Sequence, residues 1–206
     1  MDSSLDKSAL RQQMRIIRAA LSSEERQAKS QKIAARAVTL ADYIDSTVIA
    51  AYYPTSTEVD CRPIFAHALN RSKKIYLPMV TRHGLNNVLL FGPYSPEHDK
   101  DLHKSSLGIL EPPFDSKTAL SAADLSVVFV PLLAFNTAGY RLGTGGGYYD
   151  VTFQWLKEAR LKKQTSCVLV GLGFDCQETQ KLRHDDWDIP LNYVVTESRT
   201  ISCSAK

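Results

Sequence analysis

Short runs of β-forming residues, several of them stopped by proline, alternate with helix-patterned stretches along this chain. That alternation restricts the fold more than any other feature. Thr47-Val-Ile-Ala-Ala-Tyr-Tyr53 is apolar, rich in strand formers and ended by Pro54. Residues 74–78, 87–91, 125–130 (stopped by Pro131), 166–172 and 193–195 read as strands in the same way. Between them, residues 62–70 and 148–160 support helices. Strands alternating with helices predict an α/β fold whose largely parallel sheet is flanked by helices. No internal repeat or low-complexity tract interrupts the pattern; residues 92–106 form its least structured stretch, a candidate mobile excursion.

The amino-terminal part is helical. With Lys7 as origin and ~100° per residue, Leu10, Met14, Ile17 and Leu21 fall within an arc of about 60°. Lys7, Arg11, Arg15 and Arg18 occupy an adjacent arc of about 80°. Such a charged stripe is ordinarily a solvated face. Ser22 followed by Glu25 reads as a capping box that opens a second helix, to about residue 40.

At ~150 residues per domain, 206 residues make one domain, 1–206. A chain of this size buries roughly 70% of its unfolded surface and needs no staple. A net charge of +3 does not argue for nucleic acid. It does suit an anionic small molecule if the positive charges gather in one place. Cys61, Cys167, Cys176 and Cys203 stand far apart, with no C-x-x-C spacing, which excludes a zinc ribbon and a disulfide scaffold. No apolar run reaches ~18 residues and the first seven are polar, so no membrane span or secretory leader is expected. These features predict a cytoplasmic protein with reduced thiols.

The segment richest in chemistry is Phe129–Asp150. A buried strand ends, a turn follows, and Gly143, Gly145, Gly146 and Gly147 crowd together ahead of a helix. Glycines there let the backbone approach a ligand, and N–H groups at a helix start favour phosphate. Arg141 adds a fork of donors and Asp150 a carboxylate suited to Mg²⁺ beside bound phosphates. Neither generic nucleotide motif matches: no Lys follows for a P-loop, and Tyr148 stands where a dinucleotide fold needs its third glycine.

Arg141-Leu-Gly-Thr-Gly-Gly-Gly-Tyr-Tyr-Asp150 resembles the signature loop of the 5-formyltetrahydrofolate cyclo-ligase family. Further blocks resemble that family in its own order. They are Lys7-Ser-Ala-Leu-Arg11, the stretch 52–60 with Glu58 before Val59-Asp60, Pro131–Asn136, and Trp187-Asp-Ile-Pro190 followed by Val194-Val-Thr-Glu197. The resemblance implies an α/β domain of the NagB/ribose-phosphate-isomerase type, working as a monomer. It implies an Mg²⁺-dependent reaction of 5-formyltetrahydrofolate, with or without a polyglutamate tail, and ATP to 5,10-methenyltetrahydrofolate, ADP and phosphate. Carried over by position, Lys7 and Arg11 would contact ATP phosphates, Lys7 and Arg141 would act in catalysis, and Asp150 and Asp188 would hold Mg²⁺. Arg141, Leu142, Gly143, Thr144, Gly145, Gly146, Gly147, Tyr148 and Tyr149 would cradle the triphosphate, while Glu58, Tyr53 and Tyr149 would face the folate. Thr144, Gly146, Trp187, Asn192 and Leu107 depart from commoner family forms; Leu107 falls where some members place a pterin-stacking Trp. Trp155 reads as core. A sugar-phosphate isomerase or a ligand-sensing regulator would also use a glycine-rich phosphate loop, but neither would require ATP.

Overall fold

Two packed faces of one sheet organise the protein, seen in a computed structural model that describes residues 7–83, 86–105, 108–164 and 167–203. The sheet is built from β1 (Val48–Ala50), β2 (Lys74–His83), β3 (Asn86–Tyr94), β6 (Val127–Pro131), β9 (Val168–Leu172), β10 (Tyr193–Val195) and β11 (Thr200–Ser202). Their spatial order is β11-β10-β9-β6-β1-β2-β3. The five central strands run parallel, while β3 and β11 close the two edges antiparallel to β2 and β10. Two short ribbons lie outside the sheet: β4 (His103–Lys104) with β5 (Leu110–Glu111), and β7 (Ala134–Phe135) with β8 (Arg141–Leu142). The expected parallel α/β arrangement is therefore present.

The strands are continuous apolar runs because both faces of the sheet are covered. Side chains alternate between the faces with period two. Ile49, Val127, Phe129 and Val170 pack on one face, beneath Ile33, Ala37, Tyr43, Ile64 and Phe65. These come from α2 (Ser23–Ala37), α3 (Ala41–Asp45) and α4 (Arg62–Asn70). Ala50, Val128, Val130 and Leu169 point the other way, toward Phe153 and Leu156 beside α5 (Tyr148–Thr152) and α6 (Leu156–Leu161). Each fully buried side chain of this kind contributes about 1.5–3 kcal/mol.

The helix expected over 148–160 is broken into α5 and α6 at Phe153. The Phe153 ring is fully buried, 6.2 Å from the rings of both Phe91 and Tyr149. The Thr152 hydroxyl accepts the Leu89 N–H of edge strand β3 at 2.8 Å. Docking onto the sheet edge thus overrides helical periodicity. Residues 92–106 are not one loose excursion: they hold the end of β3, a 3₁₀ turn over Pro96–Asp101 and β4. Ser106 and Leu107 lie outside the described residues.

The first helix, α1 (Lys7–Ala19), belongs to neither face. Leu10 and Met14 pack with Leu133, Ala134, Leu142 and Leu182 in a small third core built on the β7–β8 ribbon. This places α1 across the carboxyl end of the sheet, where open α/β sheets bind their ligands. No helix among the described residues is long and apolar enough to cross a membrane.

Candidate active site

Beyond the carboxyl ends of β1, β2 and β6 lies a cleft of about 1470 Å³. The residues to which the resemblance gave a ligand or metal role line it: Lys7 and Arg11 from α1, Tyr53 and Glu58 after β1, the whole 141–150 loop, and Asp188.

The loop is held open by its backbone. Gly145 and Gly147 have φ of +116° and +66°, a region that costs other residues roughly 1–2 kcal/mol. Among the described residues the N–H groups of Gly143 to Gly147 donate to no protein acceptor, while the Gly143 carbonyl accepts Arg11 Nε at 3.0 Å. Unclaimed donors concentrated in one turn form a nest for an anion. The helix that follows has only five residues, so the attraction rests on these N–H groups more than on a long helix dipole. The Leu142 side chain is buried beside α1 and its carbonyl accepts the Leu133 N–H at 2.7 Å, whereas Thr144 is exposed.

Arg141 and Asp150 form the rigid base. The Arg141 side chain, only 4% exposed, donates through one Nη to Asp150 Oδ1 at 2.8 Å and through the other to the Ile189 carbonyl at 2.6 Å. Asp150 Oδ1 also accepts the Ile189 N–H at 3.0 Å. The guanidinium lies 5.9 Å from the centroid of the Tyr149 ring, which stacks on Phe153. Burial pushes the Tyr149 hydroxyl well above its usual pKa against the opposing pull of Arg141. It is therefore a neutral hydrogen-bonding group.

Lys7 closes the same end. Its ammonium sits 2.5 Å from Asp185 Oδ2 and 3.4 Å from Asp188 Oδ2, and Asp188 Oδ2 also accepts the Asp185 N–H at 2.8 Å. Burial lowers the Lys7 pKa, but the two carboxylates outweigh it and the net shift is upward. Asp150 Oδ2 and Asp188 Oδ1 have no protein partner among the described residues.

The other end is different. Glu58 accepts the Thr55 N–H at 2.9 Å and lies 3.8 Å from Arg18. Tyr52 is buried and donates to the Val59 carbonyl at 3.0 Å, with Tyr53 partly buried beside it. Pro78, Val80, Leu89 and Ile109 make an apolar wall there, with the acid Glu111 set into it.

Two expectations are corrected, for Arg18 and Trp155. Arg18 is not on a solvated face: it is 7% exposed, lines the cleft and reaches the Leu132 carbonyl at 3.4 Å. Burial lowers its pKa and Glu58 opposes that shift. Trp155 is only partly core, because it also lines the cleft. Asn192 is not in the cleft; its Oδ1 accepts Arg160 at 2.6 Å and the Leu169 N–H at 2.9 Å. Asp185 and Glu111 are cleft residues that sequence reasoning passed over. Asp185 had a signal in the acid run that ends at Asp188; Glu111 had none.

Comparison with known proteins then places the chain. The sequence model described as the 5-formyltetrahydrofolate cyclo-ligase family matches residues 3–197. The 5-formyltetrahydrofolate cyclo-ligase of Escherichia coli strain K12 is 35% identical over 182 residues, which is 88% of this chain and 95% of that protein. The Haemophilus influenzae enzyme of the same name is 32% identical over 88% of this chain and 92% of its own. The solution structure of Aquifex aeolicus 5,10-methenyltetrahydrofolate synthetase superposes with a TM-score of 0.74 at 32% identity, covering 97% of this chain and 94% of that one. For the Mycoplasma pneumoniae synthetase the TM-score is 0.69 at 25% identity, with coverage of 94% and 99%. Matched along nearly its whole length by both sequence and fold, the chain belongs to the 5-formyltetrahydrofolate cyclo-ligase family.

Proposed function

We propose that the protein closes 5-formyltetrahydrofolate to 5,10-methenyltetrahydrofolate at the expense of ATP, releasing ADP and phosphate through a phosphorylated formyl intermediate. The observation that carries this reading is the division of a single cleft. Unclaimed N–H groups with Lys7, Arg11 and Arg141 occupy one end, and an apolar wall beside Tyr53 and Glu58 occupies the other. A polyphosphate and a bicyclic heterocycle with polar edges would fit side by side.

The chemistry needs that adjacency. A formamide carbonyl is a poor electrophile, and ring closure must expel its oxygen. In the proposed sequence the formyl oxygen attacks the γ-phosphorus and ADP leaves. The N10 nitrogen then attacks the formyl carbon, the carbon–oxygen bond breaks, and the departing phosphate carries off the N10 proton. The protein supplies no nucleophile of its own. It holds two substrates in line and spreads the charge of the transferring group. Arg141, fixed from two sides, and Lys7 are the stabilising cations in this scheme. Arg11 and the backbone from Gly143 to Tyr149 hold the phosphates. Glu58, Tyr53 and Tyr149 face the folate.

The donor set fits Mg²⁺. Asp150 and Asp188 each offer one unengaged carboxylate oxygen to the cleft. Among the described residues no group of three or more metal-binding side chains is drawn together. The fit is thus to an ion shared between one or two carboxylates and substrate phosphates, the usual mode for Mg²⁺. Bound there, Mg²⁺ would neutralise phosphate charge.

The test is spectrophotometric. With 5-formyltetrahydrofolate and Mg²⁺ present, the near-ultraviolet absorbance of the methenyl product should rise only once ATP is added. No ATP-dependent rise at high protein concentration would remove the reading.

A further inference from the structure

Glu111 is a buried acid that pairs with no cation among the described residues. It lies on β5, is 6% exposed and lines the cleft. Its Oε2 accepts a single long hydrogen bond, from the Val80 N–H at 3.3 Å. Among the described residues it forms no ion pair. The wall around it is otherwise apolar: Pro78 and Val80 from β2, Leu89 from β3, and Ile109.

A carboxylate removed from water among apolar side chains is unfavourable unless donors reach it. An ionised carboxylate has about four lone-pair sites, and here the protein fills one. The remaining acceptor capacity, set into an apolar wall, suits a flat ligand that carries two donors side by side along one edge. The 2-amino-4-oxopyrimidine ring of a pterin has that edge, in N3–H and the 2-amino group, and the pair matches two carboxylate oxygens as a guanidinium fork does. Adenine does not match: its 6-amino group sits beside an acceptor nitrogen.

We propose that Glu111 reads the pyrimidine edge of the pterin, accepting from N3–H and the 2-amino group and thereby setting the orientation of the ring. This rests on the folate reading above and deepens it. The topology supports the assignment. Glu111 is anchored on the β2–β3 flank of the sheet, and α5, which directly follows the glycine loop, docks on the same edge strand β3 through Thr152. The N5 nitrogen lies across the bicycle from the 2-amino group. A ring held by Glu111 at its pyrimidine edge therefore keeps its N5 end in the same cleft as the Gly143–Gly147 turn, where a γ-phosphoryl group would sit.

The experiment compares wild type, E111Q and E111L in steady-state assays with ATP, Mg²⁺ and either 5-formyltetrahydrofolate or its analogue lacking the 2-amino group. With the natural substrate, E111Q should lower kcat/KM for folate by about 10- to 100-fold, mostly through KM, and E111L further. The ATP KM should move less than about twofold, and the melting temperature of E111Q should stay near that of wild type. With the analogue, which keeps only the N3–H donor, the E111Q penalty should shrink to roughly its square root, which a merely structural role for Glu111 would not produce. A penalty of the same size with the analogue, or one that falls on the ATP KM, overturns the assignment. An unchanged folate KM in E111Q beside an active wild type also sinks it alone. A wild-type protein that fails to cyclise 5-formyltetrahydrofolate sinks the functional reading and this one together.

Discussion

Asp150 commits one of its two oxygens to the protein and leaves the other to the proposed metal. Oδ1 is committed to the protein, taking the Arg141 guanidinium and the Ile189 N–H, and so ties the glycine loop to the segment before β10. Oδ2 is the oxygen assigned to Mg²⁺. Asp150→Asn retains an acceptor for Ile189 but removes the charge that balances Arg141 and weakens the proposed metal ligand. Turnover should fall by about 10²-fold or more, as read by steady-state kinetics beside a melting curve showing that the variant folds. Undiminished kcat would exclude Asp150 as a ligand. Arg18 shows where single residues were not legible in the sequence. At about 20° on the α1 wheel it borders the apolar arc, and only the docking of α1 over Glu58 and Leu132 decides that it is buried. Glu111 was hidden for the same reason, because its surroundings come from β2 and β3, far away in the chain.

Elements whose signals are local were the legible ones. The Ser22 hydroxyl accepts the Glu25 N–H at 3.1 Å, and the Glu25 carboxylate accepts the Ser22 N–H at 2.8 Å, the reciprocal cap that their spacing predicts. Ser22→Ala should cost about 1 kcal/mol, seen as a fall of roughly 2–4 °C in melting temperature. No fall would mean that the start of α2 is fixed by packing instead. The bounds Arg62–Asn70 and Tyr193–Val195 were likewise readable from local composition. The break between α5 and α6 was not, because the fit of Phe153 between Phe91 and Tyr149 is a tertiary event. The β7–β8 ribbon, two residues a side, is too short to leave a periodic signal, yet it carries Arg141 and supports α1.

At the scale of the molecule, α1 is the part with the least core of its own, and the cleft lies between it and the sheet. A ligand that bridges Lys7 and Arg11 to the glycine loop should therefore raise the stability of the whole fold. At a hundredfold excess over Kd the gain is about 2.7 kcal/mol, measurable as a rise in melting temperature with Mg²⁺ and ADP together. The Lys7 ammonium wedged against Asp185 and Asp188 makes that condition a joint one. A free polyphosphate that draws the ammonium away strands two carboxylates beside its own charge, and a bare divalent ion must dislodge the ammonium with nothing to receive it. On the proposed reading each visitor would thus be unwelcome singly and admitted as a couple, and the site would act as a coincidence detector for the metal–nucleotide chelate, with a mutual dependence equal in both directions.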